Sequence, residues 1–176
     1  MFNLFLKILF AHRYTIPISP ESYEKTEINA VGKHIQDQVK KLFKGSLAIR
    51  QVDAGSDNAC EQELVALSNA FYDVERFGIH FVASPRHADM LLVTGPVTRN
   101  MQEALVRAYE ATPAPKIVVA LGDEAIDGGL FKGSYAVYDG VEKTIPVDYQ
   151  IPGNPPSPKT ILHHLLKILE AESAKL

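Results

Sequence analysis

The sequence predicts an α/β domain built on an open parallel sheet, and three observations support this class. Its 176 residues, 46% of them hydrophobic, suffice for one well-packed core and are too few for two ordinary domains. From residue 47 onward, short β-rich runs alternate with runs of helical periodicity, which is typical of parallel βαβ units. Loops rich in glycine or proline follow the β-rich runs, where open α/β sheets place their ligands.

The individual elements follow from short-range patterns. Four apolar runs rich in β-branched residues and a fifth extended run predict the strands, which are 47–52, 77–83, 90–95, 116–121 and part of 144–150. Apolar residues three and four apart predict the helices, which are 27–44, 61–71 with a start near Asn58, 100–111 and 161–171. The stretch 122–158 shows no clear helix, and an irregular segment of that length indicates a functional or partner-facing region.

The first 44 residues predict an extension to this domain. The opening MFNLFLKILF has apolar residues at helical spacing but is about half as long as a membrane span. We expect an amphipathic helix that docks on a partner, on a membrane surface or on its own domain. Pro17 and Pro20 then favour an extended connector. The predicted organisation is therefore an extension over 1–44 and an α/β domain over 45–176.

Composition excludes several classes of function. The formal net charge of −3 and the absence of a basic block argue against a nucleic-acid partner. The single cysteine, Cys60, rules out an intramolecular disulfide and suits a reducing compartment. The glycine-rich loops match neither of the usual phosphate-binding motifs.

Several long motifs resemble one family in order and spacing. GSDNACE, YDVERFGI, SPRHADMLLVTGPVTRNM, VALGDEAIDGG and IPGNPPSP resemble the small iron–sulfur subunit of energy-converting membrane-bound nickel–iron hydrogenases and formate hydrogenlyase. The same family supplies the 20 kDa subunit of respiratory complex I. The resemblance runs from about Gly45 to Leu169 and implies a flavodoxin-like sheet of four or five strands flanked by helices, with the N-terminal helical extension added.

The resemblance also implies a cofactor and its ligands. In the family, four cysteines hold one four-iron, four-sulfur cluster, and their positions in this chain are Asp57, Cys60, Glu124 and Asn154. Iron–sulfur clusters depend on thiolate ligands, so three replacements predict that no such cluster is bound. Asp57 and Glu124 are expected to face each other, with Arg50, Arg86 or Lys132 neutralising them or with a divalent cation such as zinc bound between them and Cys60.

The function expected from the resemblance is architectural. The chain would be a cluster-less small subunit that bridges a hydrogenase-like large subunit, a ferredoxin-like subunit and a membrane subunit, peripherally attached to the cytoplasmic face of the inner membrane. Arg76 and Arg86 belong to motifs that the family places near the large subunit and the cluster, which suggests inter-subunit ion pairs, although surface ion pairs explain them as well. Two alternatives remain: an electron-transfer subunit with an atypical cluster or metal at Asp57, Cys60 and Glu124, and a stand-alone flavodoxin-like binder of a small anion.

Overall fold

The computed structural model describes residues 27–175, and their architecture is a parallel sheet between two layers of helices. The strands are β1 (Leu47–Asp53), β2 (Ile79–Phe81), β3 (Met90–Thr94), β4 (Ile117–Leu121) and β5 (Tyr149–Ile151). The helices are α1 (Glu27–Phe43), α2 (Ala59–Leu67), α3 (Gln102–Ala111), α4 (Asp123–Asp127) and α5 (Pro158–Ala174). The predicted α/β class is confirmed.

The sheet has the order β2-β1-β3-β4-β5, and all four pairings are parallel. This is the flavodoxin-like order, in which the chain reverses direction across the sheet between β1 and β3. The central strands β3 and β4 are buried at every position, because helices cover both faces. Their continuous apolar sequence therefore predicted them well.

Two apolar cores lie on opposite faces of the sheet. The larger one packs α1, α2 and α5 against one face, with Ile35, Leu64 and Leu165 among its buried members. The smaller one packs α3 and the segment before β5 against the other face, around Val93 and Leu105. Burial of these side chains is the main source of stability for the fold.

Several element boundaries differ from the sequence prediction, and the predicted helix 61–71 already ends at Leu67. The predicted strand 77–83 shortens to β2, because residues 74–77 form a 3-10 helix that ends at Gly78 in the left-handed conformation, with φ 86°. The stretch 122–158, predicted without a helix, contains α4, which begins after Gly122 and ends at Gly128. Helix α5 starts earlier than predicted, because the Ser157 side chain caps it and Pro158 occupies its first turn.

The predicted extension is described only in its last part. Helix α1 confirms the predicted helix of residues 27–44, and Gly32 lets it approach the Phe77 ring. The predicted amphipathic helix of residues 1–10 and the connector around Pro17 and Pro20 lie outside the described residues. Within residues 27–175, none of the helices is long and apolar enough to cross a membrane.

Candidate functional site

The loops that follow β1 and β3 meet at the carboxyl edge of the sheet. A Cβ atom added at Gly95 would lie 2.6 Å from the amide nitrogen of Ser56, so only glycine allows this approach. The amide of Thr98 donates a hydrogen bond to the carbonyl of Ala54 at 2.8 Å. The loop TGPVT is thus packed on the loop that leads to the only cysteine.

Cys60 lies at the centre of this edge. It is the second residue of α2 and is 8% exposed. A Cβ atom at Gly122 would lie 2.6 Å from the Cys60 sulfur, and Gly122 has φ +90°. The loop after β4 therefore packs directly against the thiol. Only glycine at position 122 leaves room for this contact.

The loops after β4 and β5 are joined by Asp123. Its amide donates to the carbonyl of Gly153 at 2.9 Å, and its Oδ1 accepts from the amide of Gly153 at 2.8 Å. The amide of Gly122 adds a third bond, to the carbonyl of Ile151 at 2.8 Å. Asp123 is therefore a structural clamp, whereas the sequence offered it only as a neighbour of Glu124.

Glu124 is a buried carboxylate in the same loop. It is 5% exposed, and its Oε1 is buried without a hydrogen-bond partner. Burial, followed by the charges of Asp57 and Glu61, raises the pKa of Glu124, and the backbone amide of Asp57 offsets only part of this rise. Glu124 therefore lies near Asp57, whose charge and backbone amide both act on it.

Glu61 is a member of the site that sequence reasoning missed. Its Oε1 accepts a hydrogen bond from the hydroxyl of Thr94 at the end of β3, and its Oε2 is buried without a partner. The residue directly follows Cys60 in the first turn of α2. The contact of Glu61 with Thr94 follows from the register of the folded sheet, which places Thr94 beside Asp53 at the carboxyl edge.

Asp57 and Asn154 lie at the rim of the site. Asp57 is exposed, and its Oδ1 accepts from the amide of Ala59 at 2.8 Å, so the side chain helps to begin α2. Asn154 is exposed and follows Gly153, whose carbonyl lies 3.4 Å from a Cβ placed at Gly122. The structure therefore brings the loops of all four predicted positions together, while their assignment as former ligand positions stays a prediction.

The donor chemistry of this site does not fit a thiolate-bound cluster. Burial, then the negative charges of Glu61 and Glu124 and more weakly of Asp57 and Asp123, raises the pKa of the Cys60 thiol from 9.0 to about 12. A cluster would need four thiolates, and it would add negative charge to a site that already disfavours it. The chain supplies a single thiol, so three of the four sulfur ligands are missing.

The expected neutralising cations are not at the site. Lys132 instead binds Asp127 at 2.8 Å, and Arg86 lines a surface depression with Pro113 and Pro115 before β4, at the opposite edge of the sheet. Arg50 lies within β1, and the charges that shift the pKa of Glu124 are all carboxylates. In residues 27–175, no three histidine, cysteine, aspartate or glutamate side chains are placed to hold a metal ion.

Arg76 also lies away from the site. Its guanidinium donates to the side chain of Asn29 in α1 at 2.8 Å, stacks 4.5 Å from the centre of the Phe77 ring and lies 3.8 Å from Asp73. Helix α1 is therefore held to the YDVERFG motif by Arg76. Both arginines have neighbours other than the four predicted ligand positions, and their role in inter-subunit ion pairs stays a prediction.

A family model and several relatives match this chain. Residues 58–168 match the family described as "NADH ubiquinone oxidoreductase, 20 Kd subunit". An uncharacterized protein of Methanocaldococcus jannaschii is 49% identical over 131 residues, which are 74% of this chain and 88% of that protein. A probable membrane-bound hydrogenase subunit of Pyrococcus furiosus is 42% identical over 145 residues, which are 81% of this chain and 87% of that protein.

A third relative is only partly covered. Formate hydrogenlyase subunit 7 of Escherichia coli is 46% identical over 123 residues, which are 70% of this chain. The match spans 48% of that protein, so this chain corresponds to about half of its length.

Solved structures share the fold. A chain of the membrane-bound sulfane sulfur reductase, an archaeal respiratory membrane complex, superimposes with a TM-score of 0.64 at 34% identity and covers 82% of this chain and 75% of its own. A chain of an NAD⁺-reducing nickel–iron hydrogenase has a TM-score of 0.56 at 18% identity, which shows the likeness of fold alone.

Proposed function

Because the chain belongs to the family of the 20 kDa subunit of NADH–ubiquinone oxidoreductase, we propose that it is a small subunit of a membrane-associated complex and joins other subunits without carrying an iron–sulfur cluster. The observation that carries this proposal is the donor set at the carboxyl edge of the sheet. Cys60 is the only thiol in the chain, and two carboxylates, each with one buried and unpartnered oxygen, stand beside it. Such a set repels an anionic cluster and offers it one sulfur ligand.

The names of the relatives support the membership of a complex. They are subunits of a membrane-bound hydrogenase and of formate hydrogenlyase, and the solved neighbour belongs to a membrane-bound reductase. The partners that we propose are a hydrogenase-like large subunit, a ferredoxin-like subunit and a membrane subunit. The site of action is the cytoplasmic face of the inner membrane, with peripheral attachment.

The two parts of the chain divide this role. The helix predicted for residues 1–10 would dock on a partner or on the membrane. Helix α1 instead packs into the core of the α/β domain, which would hold the subunits together. The contact of Arg76 with Asn29 supports a fixed position of α1 on that domain. Without a cluster, no electron would pass through this subunit, so the contribution of the chain is architectural.

Anaerobic reconstitution tests the absence of a cluster. The full chain would be incubated with ferrous iron, sulfide and reductant, desalted, and analysed for iron, acid-labile sulfide and visible charge-transfer absorbance. The matched variant is Asp57→Cys/Glu124→Cys/Asn154→Cys, which returns the family's full thiol set to the same fold. We expect the variant to gain a cluster and the natural chain to gain none.

The opposite result would remove the proposal. If the natural chain takes up iron and sulfide as well as the triple variant does, the alternative of an atypical cluster at Asp57, Cys60 and Glu124 is correct. A Cys60→Ser variant would then lose the chromophore, which places the cluster at this site.

A further inference from the structure

Two carboxylate oxygens at the site are buried and have no hydrogen-bond partner. They are Glu61 Oε2 and Glu124 Oε1, and they belong to different elements that meet beside Cys60. A buried carboxylate oxygen without a donor costs the full desolvation energy of that group. Protein interiors rarely keep such atoms, so two of them at one place indicate that a donor is supplied from outside the chain.

The charge around these oxygens defines the kind of donor. Asp57 and Asp123 add to the negative charge that acts on Cys60. The nearby cations of the described chain have other partners: Lys132 binds Asp127, and Arg99 donates to the carbonyl of Tyr135 and stacks 5.2 Å from the Tyr138 ring. These two oxygens therefore lack both a neighbouring positive charge and a hydrogen-bond donor.

We propose that the carboxylate pocket formed by Asp57, Glu61 and Glu124 receives an arginine side chain of a partner subunit. A guanidinium group is planar and carries five N–H donors in a fork that can serve two carboxylates at once. A guanidinium group therefore supplies both the positive charge and the directed hydrogen-bond donors that the two oxygens lack. This inference rests on the proposed function, because it needs a partner subunit in the same complex.

A metal ion satisfies the same oxygens less well. Among residues 27–175, no set of three histidine, cysteine, aspartate or glutamate side chains is arranged for a metal. Asp57 is exposed and Glu124 is buried, so the pocket has its surface side at Asp57 and its two unpartnered oxygens beneath it.

The test compares matched variants of the full tagged chain in its own complex, isolated from native membranes. Glu61→Gln/Glu124→Gln keeps the shape of both side chains and removes both charges. Asp127→Asn is the control, because Asp127 is an exposed carboxylate in the same loop and binds Lys132 within the chain. We expect the double variant to release the other subunits about tenfold faster than the natural chain, and the control variant to release them at the natural rate.

Stability of the isolated chain separates charge recognition from misfolding. Removing two mutually repelling carboxylates should leave the unfolding midpoint of the double variant equal to or above that of the natural chain. Faster release together with unchanged or raised stability supports the inference. A double variant that loses stability as well as its partners would show that the two carboxylates hold the fold, and this would overturn the inference.

The remaining outcomes also decide the matter. Equal release of the natural chain and the double variant would overturn this inference while leaving the proposed function intact. Stoichiometric zinc or magnesium in the natural chain, absent from the double variant, would assign the pocket to a metal instead. If the natural chain is isolated from the membranes without any other subunit, this result would overturn the proposed function itself.

Discussion

The two edges of the sheet use carboxylates in opposite ways. At the amino edge, Asp89 accepts a hydrogen bond from the amide of Ala48 at 2.9 Å, and Asp148 accepts one from the amide of Val118 at 2.8 Å. Each aspartate precedes a strand and accepts a hydrogen bond from the neighbouring strand, so its carboxylate stabilises the sheet. At the carboxyl edge, Glu61 and Glu124 each retain a buried oxygen without a partner.

The same contrast, between a hydrogen-bonded and an unpartnered carboxylate, separates the consecutive residues Asp123 and Glu124. Asp123 clamps the loops after β4 and β5 in the same manner as the aspartates of the amino edge. Glu124 follows it directly and has no such bond at its Oε1. Carboxylates that stabilise the fold can therefore be told from those available for a partner by their hydrogen bonds, and position along the chain does not distinguish them.

The largest effect that we expect is on the reactivity of Cys60, compared between the folded and the unfolded chain. A thiol whose pKa is raised from 9.0 to about 12 has roughly a thousandfold less thiolate at neutral pH than an ordinary cysteine. We expect iodoacetamide to alkylate Cys60 in the folded chain more slowly than in the unfolded chain by about this factor. The alkylation rate of the folded chain should keep rising between pH 7 and 10, which mass spectrometry can follow. Cys60 is the only cysteine, so the signal is unambiguous.

The urea-unfolded chain provides the reference rate for this experiment. The shift also predicts that the folded chain loses stability as the pH rises from 9.0 to about 12, because only the unfolded state releases the thiol proton in that range. A plateau of the alkylation rate near pH 9 would show that neither burial nor the neighbouring carboxylates raise the pKa of the thiol.

The packing of the carboxyl edge should fail when Gly122 is changed. In Gly122→Ala the new methyl group meets the Cys60 sulfur at 2.6 Å, and the backbone has φ +90°. We expect a loss of about 2–4 kcal/mol in the free energy of unfolding, measured in urea. Gly133→Ala is the control, since φ is +77° there and nothing lies within 4 Å, so only the backbone cost of about 1–2 kcal/mol should appear.

A double variant sharpens the same experiment. Cys60→Ala removes the sulfur, so adding it to Gly122→Ala should recover part of the loss. Equal losses in Gly122→Ala and Gly133→Ala would mean that the loop after β4 does not press on Cys60.

The amino edge predicts a smaller, purely structural effect. Asp89→Ala removes the acceptor of the Ala48 amide and should cost about 1–3 kcal/mol in the free energy of unfolding. Asp89→Asn keeps an acceptor oxygen and should cost less, and neither variant should change the release of partner subunits. Equal losses of stability in the two variants would argue against this hydrogen bond.

The pH dependence of Glu124 gives the smallest effect. Because its pKa is raised from the usual 4.5, the folded state holds this proton more tightly than the unfolded state. The stability of the natural chain relative to Glu124→Gln should therefore fall as the pH rises from 4.5 through the raised pKa, and stay constant above it. Unfolding free energies of both chains between pH 4 and 8 measure this difference, and a relative stability that rises with pH would contradict it.

The sequence predicted the centre of the fold better than its edges. The apolar runs of β3 and β4 are buried on both faces, so composition alone identifies them. The edge strands β2 and β5 have three residues each, and their ends are decided by left-handed turns and tertiary contacts. Helix α4 has five residues between two glycines and gives no periodic signal.

The site shows a similar limit. Loop composition and position after strands predicted a ligand site at this edge, and the structure brings the loops of the four predicted positions together there. Glu61 was missed because an acidic residue in the first turn of a helix is common for reasons of the helix dipole. Its link to Thr94 depends on strand register, and the burial of Glu124 depends on the packing of Gly129 against its side chain. Neither is encoded in local sequence.

The most direct test of the central claim is the iron and acid-labile sulfide content of this chain, purified anaerobically from its own host and then separated from its partners. Separation matters because the ferredoxin-like subunit that we propose as a partner would carry clusters of its own. We predict no iron, no sulfide and no visible charge-transfer absorbance in the separated chain. Stoichiometric iron and sulfide in this fraction would contradict the account and would make the chain an electron carrier.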